Sequence, residues 1–362
     1  MPYFHTHESR RSFILTAAPQ YNLAFTKLHG LGNDFILIDG GDLQANPTGA
    51  AFLAHWQDCA PQLAKFLCDR RFAIGADGLL LGLNMREPEQ RRIAQSIYRN
   101  AFYSADLAWT YTNGDGSASD MCGNGLRCLA AWAKQRGLVE DRFSVLTPQG
   151  VVEIKSESTG EFEVLLAEPK LSPAQIPFQG ATGAKNLVKH PLTIGDQIFE
   201  VTCVNVGNPH CVIFANEFVE KHRVNLPVMG DDSANFFPPA LAEVARQIQA
   251  SQYFPEGTNV EFVWQQSPTS VETIVYERGC GPTLACGSGA MAVLVAGVLE
   301  GRLNRKGQVT LPGGTLTIGW NEKDNRISMK GPAEQVFAGR IELPEILIGL
   351  CTREETAGVA AQ

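Results

Sequence analysis

The sequence predicts an α/β fold, mixed in the α+β sense: two pseudo-symmetric domains, in each of which a mixed sheet wraps around a central helix. Three observations lead there. Residues 122–125 read Cys-Gly-Asn-Gly and residues 286–289 read Cys-Gly-Ser-Gly, each cysteine opening a helix-like apolar stretch, nearly half a chain apart. At 362 residues the chain is long for one core, and domains of about 100–200 residues are the better expectation. The second apolar stretch, 290–299, is apolar on almost every side, which suits a helix enclosed by sheet better than one lying on a surface.

In chain order, residues 1–23 read as an N-terminal extension. Within it Ser9-Arg10-Arg11-Ser12-Phe13-Ile14-Leu15 is similar to a twin-arginine export signal, but the apolar part stops before Pro19, short of the roughly 7–15 residues of such a signal. Alternation from Ala24, a break at Gly30-Leu31-Gly32-Asn33-Asp34 and a second apolar run at 35–38 predict strand, tight loop, strand. Residues 47–69 place Phe52, Trp56, Leu63, Phe66 and Leu67 at helical spacing, 75–83 return to strand, and 86–99 form a charge-rich exposed helix or loop. A strand at 108–111 and a turn-rich segment at 113–117 precede the first cysteine helix, whose Leu126, Leu129, Ala130 and Ala133 share a face and which ends at Gly137. The second half repeats the plan: a strand at 199–206, a Gly207-Asn208-Pro209-His210 turn, a helix at 239–249, more strand, and the second cysteine helix closing at Gly301. The Pro- and Lys-bearing stretch 165–177 connects the halves, a last strand at 336–343 returns to the first domain, and from 351 a loose tail is expected. The domains so drawn are 24–166 with 332–350, and 167–331.

Composition narrows the function. Hydrophobic residues at 44% and charged residues at 19% describe a soluble globular chain with ample core material. A net charge of −8 gives no basic footprint, so nucleic acid is not an expected partner. No apolar run reaches the ~18 residues of a membrane span. Nine scattered cysteines lack the even, dense spacing of a secreted disulfide framework and point to a reducing compartment, the cytoplasm.

The cysteines carry the chemistry. A thiol at a helix N-terminus faces unpaired backbone N–H groups and the positive end of the macrodipole, which favour thiolate and can bring its pKa to roughly 3.5–7.5. The same N–H groups bind carboxylates, and small residues let a ligand approach the backbone closely. Two such sites facing each other would hold an amino acid by its carboxylate with one sulfur on each face of Cα.

Around them stand six ordered motifs: KLHGLGND (27–34), DRRFAIGAD (69–77), NGDGSASDMCGNGLRC (113–128), VGNPHC (206–211), FPEGTN (254–259) and YERGCGPTLACGSG (276–289). From about residue 24 to 343 the chain resembles the diaminopimelate epimerase family, cofactor-independent enzymes that invert one α-carbon of a bis-amino diacid. The resemblance implies that family's fold of two pseudo-symmetric domains enclosing an amino-acid substrate, and no cofactor. No metal is expected either, and a homodimer is admissible. It implies Cys122 and Cys286 as the catalytic pair, Asn33, Asn113, Asn208, Asn259, Glu277 and Arg278 as side chains contacting substrate, and Gly123, Asn124, Gly287 and Ser288 as the backbone cradle of the reacting carboxylate. The activity implied is conversion of L,L- to meso-diaminopimelate in lysine and peptidoglycan-precursor biosynthesis. The alternative is a related racemase of another amino acid.

Competing readings weigh less. Cys59, Cys68, Cys203 and Cys351 read as core or incidental thiols. The six-residue spacings from Cys122 to Cys128 and from Cys280 to Cys286 match no zinc finger or ribbon. His210 reads first as structural, with a place beside the substrate as the rival. A carboxylate-binding protein without catalysis would not need two cysteines, and a dehydratase relative would be expected to carry a hydroxyl residue in place of one. Gly78, Gly257 and Pro282 depart from the commonest family pattern of glutamine, arginine and glutamate, and bear on the exact substrate.

Overall fold

The computed structural model describes residues 21–98, 104–119, 121–181, 183–226 and 236–351. The export-signal-like segment and the tail after Cys351 lie outside them. The first half runs β1 (Asn22–Gly30), β2 (Asn33–Asp39), α1 (Gly40–Gln44), α2 (Pro47–Ala54), α3 (Trp56–Leu67), β3 (Gly78–Asn84), α4 (Pro88–Tyr98), β4 (Leu107–Asn113), β5 (Ala118–Ser119), α5 (Gly123–Gln135), β6 (Arg142–Thr147), β7 (Gly150–Ser156) and β8 (Glu161–Leu166). After a 3-10 turn at Pro173–Gln175 come β9 (Leu187–Ile194), β10 (Gln197–Asn205), β11 (Pro209–Phe214), α6 (Glu217–Lys221), α7 (Pro239–Gln249) and β12 (Asn259–Ser267). The chain then continues through β13 (Ser270–Glu277), β14 (Gly281–Thr283), α8 (Gly287–Leu299), β15 (Lys306–Leu311), β16 (Gly314–Trp320), β17 (Ile327–Pro332), β18 (Glu334–Glu342) and α9 (Glu345–Cys351).

Pairing geometry repeats strand for strand. In the first half β1/β2 is antiparallel, β2/β3 parallel, β3/β4 antiparallel, β4/β6 parallel, then β6/β7 and β7/β8 antiparallel. In the second, β10/β11 is antiparallel, β11/β12 parallel, β12/β13 antiparallel, β13/β15 parallel, then β15/β16 and β16/β17 antiparallel. The short strands β5 and β14 hang from β4 and β13 at matching places. The equivalent strands β8 and β17 pair with each other, Ile327 opposite Leu166 through Pro332 opposite Glu161, so one continuous mixed sheet runs through both halves.

Parallel neighbours need a crossover, and each cysteine helix supplies one: α5 joins β4 to β6 and α8 joins β13 to β15. Their composition follows from enclosure. From Gly289 to Gly297 every residue of α8 is buried, and Gly297 has no room for a methyl because Leu303 Cδ1 would lie 2.4 Å away. Burying most of a helix this way contributes on the order of 1.5–3 kcal/mol per large apolar side chain. On α5 the buried set includes a charge, Arg127, at 0% exposure.

Boundaries differ from expectation in a few places. The strand expected from Ala24 starts at Asn22, with Tyr21 and Leu23 already buried, because β18 pairs as far back as Asn22. The helix expected over 47–69 breaks at His55 (φ −110, ψ 27), and a separate α1 capped by Asp39 precedes it. Pro209 and His210, expected in a turn, are the first residues of β11 and are buried. The last strand, β18, returns to the first half and pairs with β1 as expected, only two residues earlier than 336–343 at its start and one at its end.

Candidate active site

Each cysteine is the N-cap of its helix in extended backbone, Cys122 at φ −148, ψ 108 and Cys286 at φ −124, ψ 107. The cap bond is a thiol version of the usual serine or aspartate one: Gly125 N donates to Cys122 Sγ at 3.4 Å and Gly289 N to Cys286 Sγ at 3.3 Å. The two helix starts adjoin. A methyl added at Gly287 would stand 3.3 Å from Asn124 Oδ1 and 2.9 Å from Met329 Sδ, and one added at Gly123 would collide with Met329 Cε at 2.1 Å. Met329, from β17, is therefore wedged behind both first turns, which is a packing reason for Gly123 and Gly287 beyond ligand approach.

Around Cys122, Asn33 Oδ1 lies 4.0 Å from Sγ and accepts from Asn124 Nδ2 at 3.1 Å, while Asn33 Nδ2 donates to Asp77 Oδ2 at 2.7 Å. Asp77 and Asp34 are held by Arg70, and Asp34 also by Lys27. Burial opposes the Asp34 charge, but the Arg70 and Lys27 hydrogen bonds outweigh it and hold this carboxyl at about 2. Asn113 is braced by Ser117, its Nδ2 donating to Oγ at 2.9 Å.

Around Cys286, Ser288 Oγ is 3.4 Å from Sγ. Glu277, at the end of β13, accepts from Thr283 Oγ1 at 2.5 Å and hydrogen-bonds the Cys286 thiol. Asn208 Oδ1 meets His210 Nε2 at 2.8 Å, and His210 Nδ1 meets Glu261 Oε1 at 2.7 Å. Asn259 is spent on the backbone: Oδ1 accepts from Arg278 N and Nδ2 donates to Pro209 O, both at 2.9 Å. One Nδ2 hydrogen and one Oδ1 lone pair are left for a ligand. Arg278 is exposed at the rim, Nη1 donating to Glu256 O at 2.8 Å. Gly257, at φ +69, lies under its stem, and a methyl there would stand 3.0 Å from Arg278 Cδ.

The helix-start argument favours thiolate, yet the structure reverses the sign. Burial pushes the Cys122 thiol up to about 11 against the opposing pull of the Gly125 N–H and the Arg127 charge. Cys286 is pushed well above its ordinary value by burial and then by the Glu277 carboxylate, which the Ser288 and Gly289 hydrogen bonds do not offset. Desolvation of a small charge exceeds what one helix terminus returns. Burial also raises Glu277 and Glu261. The Glu277 carboxylate opposes ionisation of both cysteines.

With that geometry in hand, comparison with known proteins is decisive. The sequence profile described as diaminopimelate epimerase matches residues 25–171 and 202–336. The chain belongs to the diaminopimelate epimerase family. The diaminopimelate epimerase of Heliobacterium modesticaldum is 37% identical over 327 residues, covering 89% of this chain and all of that protein. The Synechocystis enzyme is 37% identical over 89% of this chain and 99% of its own, and the chloroplastic enzyme of Oryza sativa subsp. japonica 37% over 91% and 82%. Among solved structures, a hydroxyproline epimerase from Agrobacterium vitis (TM-score 0.59, 14% identity, 90% of this chain and 93% of that one) shares the fold. So does a probable proline racemase from Agrobacterium radiobacter (0.58, 15%, 92% and 97%).

Sequence reasoning missed several members of the site. Arg127 is wholly buried with no carboxylate partner among the described residues, donating from Nε to Pro332 O at 3.1 Å and from Nη2 to Asn124 Oδ1 at 2.9 Å, and burial brings its pKa down to about 10. The signal was present as an arginine inside an otherwise apolar helix face. Tyr111 fills the space beside Gly78, where a methyl would meet its ring at 2.3 Å, and Gly78 is one of the departures from the diaminopimelate epimerase pattern. Nothing in the sequence pairs Glu261 with His210, since they sit on neighbouring parallel strands.

Proposed function

We propose that this chain inverts one α-carbon of L,L-diaminopimelate to give the meso isomer, without a cofactor, in lysine and peptidoglycan-precursor biosynthesis. The observation that carries the reading is the pair of adjoining cysteine-capped helix starts packed on one methionine, in a chain of this family. One sulfur, as thiolate, takes the α-proton while the other, as thiol, delivers a proton to the opposite face. The N–H groups of both first turns, at Gly123, Asn124, Gly287 and Ser288, stabilise the charge that develops on the reacting carboxylate.

Cys122 is the better candidate for the first thiolate: Glu277 opposes the charge on both sulfurs, but Cys122 has the Arg127 charge in its favour while Cys286 has Glu261 against it as well. Arg278 and Glu277 bind the distal carboxylate and ammonium, with Asn33, Asn113, Asn208 and Asn259 completing the shell. A site so built rejects monocarboxylic amino acids, because its own polar groups would be left unpaired.

No described helix is long and apolar enough to cross a membrane. Nine free cysteines support a reducing compartment such as the cytoplasm. A homodimer is supported by β18, which among the described residues pairs on one edge only and exposes Val336 and Phe337 at 55% and 47%.

Incubation of reduced protein with L,L-diaminopimelate in D2O tests the reading. Expected are deuterium at one Cα and the meso isomer, insensitive to chelators and carbonyl reagents. Faster racemisation of alanine, proline or histidine would move the assignment to another amino acid, and loss of activity on metal removal would end the two-thiol mechanism.

A further inference from the structure

A chain of three side-chain hydrogen bonds crosses the first helix start, from Arg127 through Asn124 and Asn33 to Asp77. Asp77 has no part in the two-thiol reaction, and Arg127 enters it only through its charge. A carboxamide carries a donor and an acceptor of nearly the same size, so which way it faces is decided by what it bonds. Here the two terminal groups can each play one role only.

At one end, a guanidinium has hydrogens and no acceptor, so Arg127 Nη2, 2.9 Å from Asn124, requires the carboxamide oxygen there. Asn124 Nδ2 then points along the chain, and the Asn33 atom 3.1 Å from it must be Oδ1. At the other end, Asp77 Oδ2 also takes the backbone N–H of Asp34 at 3.1 Å and Oδ1 takes Arg70 Nη2 at 2.7 Å, so this carboxylate accepts. The Asn33 atom 2.7 Å from it must therefore be Nδ2. Each end sets the orientation of Asn33 without reference to the other, and the two agree. Asn124 and Arg127 are buried, at 3% and 0% exposure, so a reversed amide would set like groups face to face with no solvent to relieve them.

The consequence falls at Cys122. Asn33 Oδ1 spends one lone pair on Asn124, and Sγ stands 4.0 Å away, long for a hydrogen bond even from sulfur. The oxygen is open to a stronger donor. An amino acid lying on the cysteine turn brings one, its α-ammonium, whereas its carboxylate has no hydrogen to give. A reversed amide would put N–H groups at the same place and compete with the helix N-terminus for that carboxylate.

We propose that Asp77 and Arg127 are positioning residues: from opposite ends they hold the Asn33 carboxamide with its oxygen toward Cys122, where it accepts from the α-ammonium of the substrate. The inference rests on the epimerase reading for that ammonium, and on the two ends of the chain for the orientation.

Neutron diffraction from the deuterated full-length protein locates the amide deuterons directly. They are expected on the Asn33 atom facing Asp77 and on the Asn124 atom facing Asn33, and reversal of either amide overturns the proposal whether or not any variant folds. Kinetics test the two ends. Asp77→Ala and Arg127→Leu each leave one end in place, so the double variant should raise KM for L,L-diaminopimelate at least about threefold beyond the product of the single effects. A double effect within about twofold of that product, as for independent sites, defeats the holding from both ends. Asn33→Asp alone sets two carboxylates 2.7 Å apart and should raise KM steeply. Adding Asp77→Asn restores a donor between them, keeps an oxygen at Cys122, and should recover most of the loss; no recovery means that the nitrogen of Asn33 serves the substrate, which overturns the proposal. If the parent turns over no diaminopimelate while the deuterons stand as expected, the epimerase reading fails and the orientation holds.

Discussion

The two cysteine turns have the same backbone and opposite surroundings. Both are N-caps, both accept from the third residue on, and both follow a short strand hung on the sheet. Both feel the Glu277 carboxylate, but Cys122 also has a buried cation and two amides nearby, whereas Cys286 has the second carboxyl of Glu261 and a hydroxyl. The two halves therefore share the cysteine-capped helix start but not its electrostatic surroundings. A two-base inversion benefits from that inequality, since one sulfur must begin charged and the other neutral.

The sharpest way to break the comparison is to remove each sulfur. Cys122→Ala and Cys286→Ala should each lower turnover about 10²–10⁴-fold or more, with unfolding curves close to the parent's; near-normal turnover in either means that the wrong base has been assigned. Arg127→Leu attacks the asymmetry itself. It leaves Asn124 Oδ1 and Pro332 O unpaired, at about 1–3 kcal/mol each in denaturant unfolding, and should move the alkylation pH midpoint of Cys122 upward while leaving that of Cys286 in place. Equal movement of both midpoints would show that the guanidinium is not specific to one sulfur.

Gly78→Ala should cost about 1–3 kcal/mol by overpacking against Tyr111, and a Tyr111→Ala background should relieve most of it; additive losses would show that the ring is not what occupies that space. The smallest effect expected is from Glu277→Gln. A carboxylate beside a thiol raises its pKa, so removing it lowers the pH at which Cys286 alkylates, and Cys122 moves in the same direction by less. Peptide mapping with iodoacetamide reads both, and in the parent the Cys122 rate should climb about tenfold per pH unit up to its value near 11. A shift of Cys122 larger than that of Cys286 would place Glu277 in the wrong half.

Much of this was legible in the sequence for physical reasons. Cys-Gly-x-Gly before an apolar run marks a helix start, and the run at 290–299 announces enclosure because no face of it is polar. Periodicity placed α7 at its observed ends and α5 within a residue or two. What could not be read were relations between strands. Periodicity says nothing about Met329 reaching both first turns, about His210 joining β11 instead of a turn, or about Glu261 meeting it from β12. The sign of the thiol shift failed likewise, because a helix terminus is a local feature and desolvation belongs to the assembled cleft.

The pairing of β8 with β17 has a mechanical consequence. A pair of lobes strung on a linker can swing freely, and the gap between their tips is then set by whatever lies between. Here the lobes are two arms of one hydrogen-bonded ribbon, with Met329 at the fold of the callipers. The separation of the sulfurs is thereby gauged by the sheet, and widening it means flexing a ladder of backbone hydrogen bonds from Leu166 to Glu161. Parting the lobes at this seam therefore means breaking backbone hydrogen bonds instead of swinging a linker.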